Sequence, residues 1–455
     1  MPGKSHKHGS ATNGGPLLGD PTDGIDPYLP GNGNLGYRVS RYELDLEYKV
    51  ASNRLSGTAT LTATAIAHVG RFTVDLANHL SVSKVTVNGS RPSRYSHRSG
   101  KLSITPAHAL PPGAAMTVEI KYGGSPRPIR GPWGEVGFEE LTEGALCANQ
   151  PNGAASWFPC DDHPASKASY QIAITTESPY TAVANGTLVR KRTKAAMTTW
   201  VYEQVEPMAT YLATVSIGPY EKKSLARKPV PITAVLPSRL ADTFAHDFGR
   251  QREMMTAFCD MFGPYPFPEY TVVVTDDNLE IPIEAQGMST FGANHCDGRR
   301  GSERLVAHEL AHQWFGNSLT LTRWRDIWLH EGFACYSEWL WAERAGDDTA
   351  DALARSHHKR LAAQRQDLVL SDPGADDMFD DRVYKRGALT LHALRLTIGD
   401  DAFFDLLRDW THEYRYSSVT TDDFVGVAAR HTDRSLTELW DAWLHDTPLP
   451  DLPDA

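Results

Sequence analysis

From Tyr37 to about Glu221 apolar and polar residues alternate over short runs: YELDLEY (42–48), TATLTATAIA (58–67), KVTVNG (84–89), MTVEIKY (116–122), SYQIAIT (169–175) and YLATVSIG (211–218). A period of two puts every second side chain on one face, which predicts strands. The turn dipeptides Asn88-Gly89, Pro112-Gly113 and Asn185-Gly186 suit hairpins between them. The close spacing predicts an antiparallel β domain, folded as a sandwich or saddle-shaped sheet. After VPITAVLPS the period changes. Residues 240–262 carry Phe244, Phe248, Met254, Met255, Phe258 and Phe262 at helical spacing, and a strand is expected over 271–277. Helical patterns then occupy 302–317, 331–346, 350–366, 384–398, 401–415, 421–431 and 435–444. The second half therefore reads as an α-rich domain with a small sheet at its start, and no internal repeat interrupts it.

Residues 1–34 mix Gly, Pro, Asp, Asn and His with almost no aliphatic content, and such a stretch is expected to be a flexible tail. The histidines of SHKHGS within it are given no function. The chain is expected to divide into a β-sandwich domain over 35–225 and an α-rich domain over 226–455, with no additional helical domain expected beyond it. A length of 455 residues with 41% hydrophobic and 22% charged residues has room for such a plan. The balance of 45 Lys plus Arg against 56 Asp plus Glu, net −11, offers no basic field for nucleic acid or an acidic membrane. No apolar run is long enough to span a bilayer and the start is polar, so a soluble, unexported protein is expected. Five scattered cysteines without CxxC spacing suggest neither a disulfide framework nor a thiolate metal site, which fits the cytoplasm.

The candidate chemistry lies in RLVAHELAHQWFGN. On a helix His308 and His312 share one face and can grip one ion, while Glu309 can reach a water bound to it, as a general base must. A hydrolytic zinc site takes three protein ligands and leaves a fourth position for water. Glu331 in DIWLHEGFA, 19 positions beyond His312, is the third candidate. Asp326 and Glu338 are candidates to orient the ligand imidazoles through their outer N–H groups.

With those motifs in place, the sequence resembles the zinc aminopeptidases of the aminopeptidase N and leukotriene hydrolase type, gluzincin metallopeptidases. The resemblance runs from about Tyr37 onward and rests on HELAHQWFGN, WLHEGFA, WFPCDDHPASKASY (157–170), EPMATYLATVSIGPYE (206–221) and VYKRGALTLHALR (383–395). It implies an α+β multidomain fold, an N-terminal antiparallel β-sandwich saddle followed by a thermolysin-like, mostly α-helical catalytic domain. It implies one zinc ion on His308, His312 and Glu331, Glu309 as base, and Tyr384 donating its phenol to the tetrahedral oxyanion. It also implies that Glu284 in IPIEAQG and Gln150 in ANQPNGAASWFP hold the substrate's amino terminus, Glu280 being a competing carboxylate with less fitting spacing.

The sequence departs from the family's pattern in two places. Ile281, Pro282 and Ile283 replace Gly, Ala and Met before the glutamate, and a proline has no N–H for a substrate backbone. His330 stands where the family carries asparagine, beside Glu331, with a packing or orienting role expected. The chain stops soon after the catalytic domain, from which a more open cleft is expected, admitting longer peptides. The reading is a zinc-dependent aminopeptidase acting on peptides with a free amino terminus. The alternatives are a catalytically silent metal-bearing binding or scaffold protein, and a zinc endopeptidase or epoxide hydrolase on the same site.

Overall fold

The structure is a computed structural model describing residues 25–454. The alternating segments form a seven-stranded sheet ordered Thr187–Lys194, Met197–Ala209, Lys167–Glu177, Tyr37–Lys49, Arg54–Ala65, Ala115–Gly124 and Leu80–Val87. Burial follows the period: in Tyr37–Lys49 the residues Tyr42, Leu44, Leu46 and Tyr48 point into the core between exposed Glu43, Asp45 and Glu47. Pairing is antiparallel except between Tyr37–Lys49 and Lys167–Glu177, which run parallel. A purely antiparallel domain was expected, and the exception arises because more than a hundred residues of chain separate these two strands, enough for a crossover. A five-stranded sheet (Thr181–Ala184, Val215–Gly218, Gly144–Ala148, Gly134–Leu141, Ile129–Gly131) and a three-stranded one (Phe72–Asp75, Lys101–Thr105, Arg94–Arg98) complete the domain.

A separate, mixed sheet opens the catalytic half, ordered Glu221–Ala226, Ile232–Leu236, Tyr270–Val274, Met288–Phe291 and Ile283–Ala285. Its first strand, Glu221–Ala226, runs across the division expected between 225 and 226. The helical pattern over 240–262 resolves into two helices, Ala241–Asp247 and Gln251–Phe262, separated around Gly249, where a Cβ would lie 2.5 Å from Ala245 O. Three further helices carry the site: Glu303–Ala311, Trp328–Ala345 and Asp381–Ile398. The last is capped by Asp380, which accepts from Arg382 N at 2.9 Å. No helix among the described residues is long and apolar enough to cross a membrane.

Residues 25–34 do not form part of a flexible tail, as was expected of them. The histidines of SHKHGS lie outside the described residues, but residues 25–34 pack on the body. Leu29 is buried, Asp26 accepts from Trp324 N at 2.8 Å, and the Tyr28 hydroxyl bonds Asp372 while accepting from Gly374 N (2.7 Å). One buried leucine and a few well-directed polar bonds replace the aliphatic content the segment lacks.

Candidate active site

The helix Glu303–Ala311 ends where its second histidine begins: His312 is its C-cap, still in the right-handed region. His308 and His312 therefore sit one turn apart, ring centroids 4.8 Å from each other. Glu331, in the first turn of Trp328–Ala345, faces them, its Oε2 3.4 Å from His308 Nε2 and 3.5 Å from His312 Nε2. All three are buried. The outer nitrogens are also held. His308 Nδ1 donates to Glu338 Oε1 at 2.7 Å, and Arg304 Nη1 grips both oxygens of Glu338 at 2.8 Å. His312 Nδ1 donates to the Phe315 carbonyl at 3.0 Å. With Nδ1 donating outward, each ring would present its Nε2 lone pair inward once that nitrogen loses its proton, as binding of a metal ion requires. The return of the chain to Phe315 is tight: a Cβ at Gly316 (φ +130°) would lie 3.2 Å from His312 Nδ1.

The charges in this pocket oppose their own burial. Desolvation favours neutral imidazoles, but hydrogen bonds to Glu331 and Glu338 outweigh it and hold His308 up to about 9. For His312 burial is outweighed by the charges of Glu331 and Glu284, and it rises to about 10. Burial would lift Glu331, yet His312 and His308 hold it well below the usual carboxylate range. The centre of the pocket thus favours positive charge.

Glu309 lies beside this trio with its Oε2 buried and unpartnered. Burial raises its carboxyl to about 7 against the pull of His308 and His312. Among the described residues, Glu284, Glu309 and His312 form a second group whose ligand atoms all fall within 4.8 Å of one another. Tyr384 stacks near His308, ring centroids 6.2 Å apart and planes 16° from parallel. Burial, with Glu331, Glu284 and Glu309 around it, pushes its phenol well above the ordinary range, so it keeps its proton and can donate. Gln150 follows the β-domain strand Gly144–Ala148, and its amide Nε2 is buried without a partner.

Residues 246–443 match the peptidase family M1 domain, and residues 39–212 match the peptidase M1 N-terminal domain. An M1 zinc metallopeptidase from Deinococcus radiodurans is 30% identical with a TM-score of 0.86, over 94% of this chain and 99% of that one. The chain belongs to the peptidase M1 family. A mutant of the Deinococcus enzyme has been solved bound to a Tyr-Ser-Ala substrate. Rice aminopeptidase M1-D is 26% identical over 90% of this chain and 50% of its own length. Human endoplasmic reticulum aminopeptidase 1 is 25% identical over 84% and 44%. The chain spans about half the length of these curated M1 relatives.

The donor set fits the zinc for which solved M1 members are named. Two imidazole nitrogens and one carboxylate oxygen converge, each imidazole oriented by an outer acceptor, in a pocket poised for positive charge.

One of the expected orienting residues behaves differently from expectation. Asp326 does not bond an imidazole: its Oδ1 accepts from Thr421 N (3.2 Å) and Thr421 Oγ1 (2.6 Å), holding the helix Thr421–Ala428. The 3-10 turn Trp324–Asp326 presents it to that helix, and the outer nitrogen of His312 bonds the Phe315 carbonyl instead of a carboxylate. His330 accepts from Leu321 N through Nε2 at 2.8 Å, and burial pushes its pKa down to about 3, so it is a neutral brace for the strand Thr320–Leu321. Arg304, the Phe315 carbonyl and Tyr211, whose hydroxyl donates to Gly316 O at 3.2 Å, are functional neighbours that the motifs left unassigned. A signal for some of this was present in HELAHQWFGN: Gln313 and Asn317 both donate to Ala285 O, at 3.1 and 2.9 Å, tying the motif to the strand that carries Glu284.

Proposed function

We propose that this protein is a zinc-dependent aminopeptidase that hydrolyses the N-terminal bond of peptides. The observation carrying the proposal is the convergence of His308, His312 and Glu331 with Glu309 and Glu284 at their side. His308, His312 and Glu331 would hold one zinc, which supplies a Lewis acid that acidifies water and polarises a carbonyl. Glu309, lifted by burial toward neutral pH, takes the proton of the attacking water and returns it to the leaving amine. Tyr384 donates to the developing oxyanion, a contact of a kind worth about 2.7–4 kcal/mol. Glu284 and Gln150 receive the substrate ammonium, a carboxylate and an amide oxygen being suited to a charged donor. The orphaned Nε2 of Gln150 has no internal partner and is free to meet a substrate carbonyl.

The five cysteines are all unpaired, which supports a reducing, cytoplasmic setting. The deciding experiment is mass spectrometry of a ten-residue peptide and its N-acetylated twin after incubation with zinc-loaded protein. A stepwise ladder from the free peptide alone is expected. Cleavage of both would assign an endopeptidase, for which the Ile281-Pro282-Ile283 edge, with Ile281 69% exposed, is the favouring observation.

A further inference from the structure

Lys167 opens the β-domain strand Lys167–Glu177, yet its ammonium is bonded entirely within the catalytic half. Nζ donates to Ser318 O at 2.8 Å, Asn317 O at 3.0 Å and Ser417 O at 3.4 Å. The residue is 5% exposed, and among the described residues no carboxylate pairs with it. An ammonium buried in this way is tolerated because each of its three N–H donors meets an acceptor. Such an arrangement is directional: a hydrophobic residue of similar length would fill the space but take a donor from each carbonyl, leaving Asn317 O with Thr320 Oγ1 and Ser417 O with Thr320 N.

The turn it grips is central to the site. His312 Nδ1 bonds Phe315 O in this turn, and Gln313 and Asn317 bond Ala285 O, next to Glu284. The β domain reaches the same turn a second time through Tyr211 and Gly316 O. The two groups assigned to the substrate ammonium lie on different halves, Gln150 on the β domain and Glu284 on the catalytic sheet. Their separation depends on how the β domain seats on residues 312–320.

We propose that Lys167 is a positioning residue for amino-terminus recognition: its three hydrogen bonds seat the β domain, and Gln150 with it, on the turn that holds His312 and braces Glu284. The inference rests on the aminopeptidase reading. It separates Lys167 from a residue that merely stabilises the fold, because the damage on its loss falls on ligands carrying an α-ammonium.

The test uses the zinc-loaded full chain and two zinc-binding inhibitors, leucine hydroxamate and its des-amino analogue. In the wild type, leucine hydroxamate should bind the tighter of the two. K167M should weaken leucine hydroxamate by about ten-fold, equivalent to about 1.4 kcal/mol, and raise the KM of a free-amine peptide with a smaller change in kcat. Zinc content and affinity for the des-amino analogue should hold. Tyr211→Phe, which removes one hydroxyl from the same contact, should shift the same ratio in the same direction, and it decides the matter if K167M fails to fold. Equal loss of both inhibitors, or an unchanged ratio in folded variants, would overturn the role of Lys167. A wild type that binds both inhibitors equally would instead overturn the aminopeptidase reading.

Discussion

Gly332 and Gly387 meet backbone to backbone: a Cβ built on either would lie 2.8 Å from the other's Cα. Each neighbours a residue of the site, Gly332 following Glu331 on one helix and Gly387 following Tyr384 by three positions on the other. The contact lets Trp328–Ala345 and Asp381–Ile398 approach closely enough for the Glu331 carboxylate and the Tyr384 phenol to share one pocket. Gly332→Ala should force the helices apart, since backbone cannot swing aside as a side chain can. Overpacking of this kind costs about 1–3 kcal/mol. Thermal unfolding should register that loss, and kcat should fall out of proportion to it because Tyr384 moves relative to Glu331. Unaltered kcat in G332A would show that the helix spacing does not set the pocket.

Glu309→Gln should remove the base while keeping shape and zinc. General bases contribute about 10²–10⁴-fold, so turnover of an aminoacyl chromogenic substrate should drop by at least that range. Metal analysis should still give one zinc per chain, since Glu309 lies outside the trio of His308, His312 and Glu331. Substantial activity in zinc-replete, folded E309Q would refute the assignment.

Glu338 reaches the metal site only through His308, whose Nδ1 it holds at 2.7 Å while Arg304 fixes its own two oxygens. Removing a carboxylate that orients a ligand imidazole commonly weakens metal binding by about 10–100-fold. Glu338→Ala should therefore lose zinc to a chelator at correspondingly lower chelator concentration. Restoration of activity by excess zinc would locate the defect in affinity, and a wild-type competition curve would mean that Glu338 serves Arg304 alone.

What could be read from the sequence here was short-range. His308 and His312 fall on one helical face by spacing alone, and the strands around Tyr42 and Ile172 declare themselves by alternation. Glu338 lies two turns beyond Glu331 on the same helix, so its proximity to the ligand set was also legible. The partner of His312 was not, because a backbone carbonyl such as that of Phe315 carries no residue-specific signal. Asp326 pairs with Thr421, and Lys167 with Asn317 and Ser417, across 95 to 250 positions, distances at which a single sequence gives no register.

Asp162 supplies a test of how burial governs stability away from the chemistry. It lies in the β domain with Asp75 and Asp161, and desolvation, reinforced by the charge of Asp75, lifts its carboxyl to about 8 although Thr210 Oγ1 donates to it at 2.7 Å. The folded protein therefore holds a proton on Asp162 that the unfolded chain, with a carboxyl near 3.8, releases. The corresponding stability is complete below about pH 4 and declines as the pH rises toward about 8, by at most about 1.4 kcal/mol per pH unit. Asp162→Asn keeps an oxygen for Thr210 and carries no charge. Its unfolding free energy should match the wild type near pH 4 and exceed it increasingly from pH 5 to pH 8. Parallel denaturation midpoints across that window would mean that Asp162 is ionised in the folded protein and that its burial does not set this pH dependence.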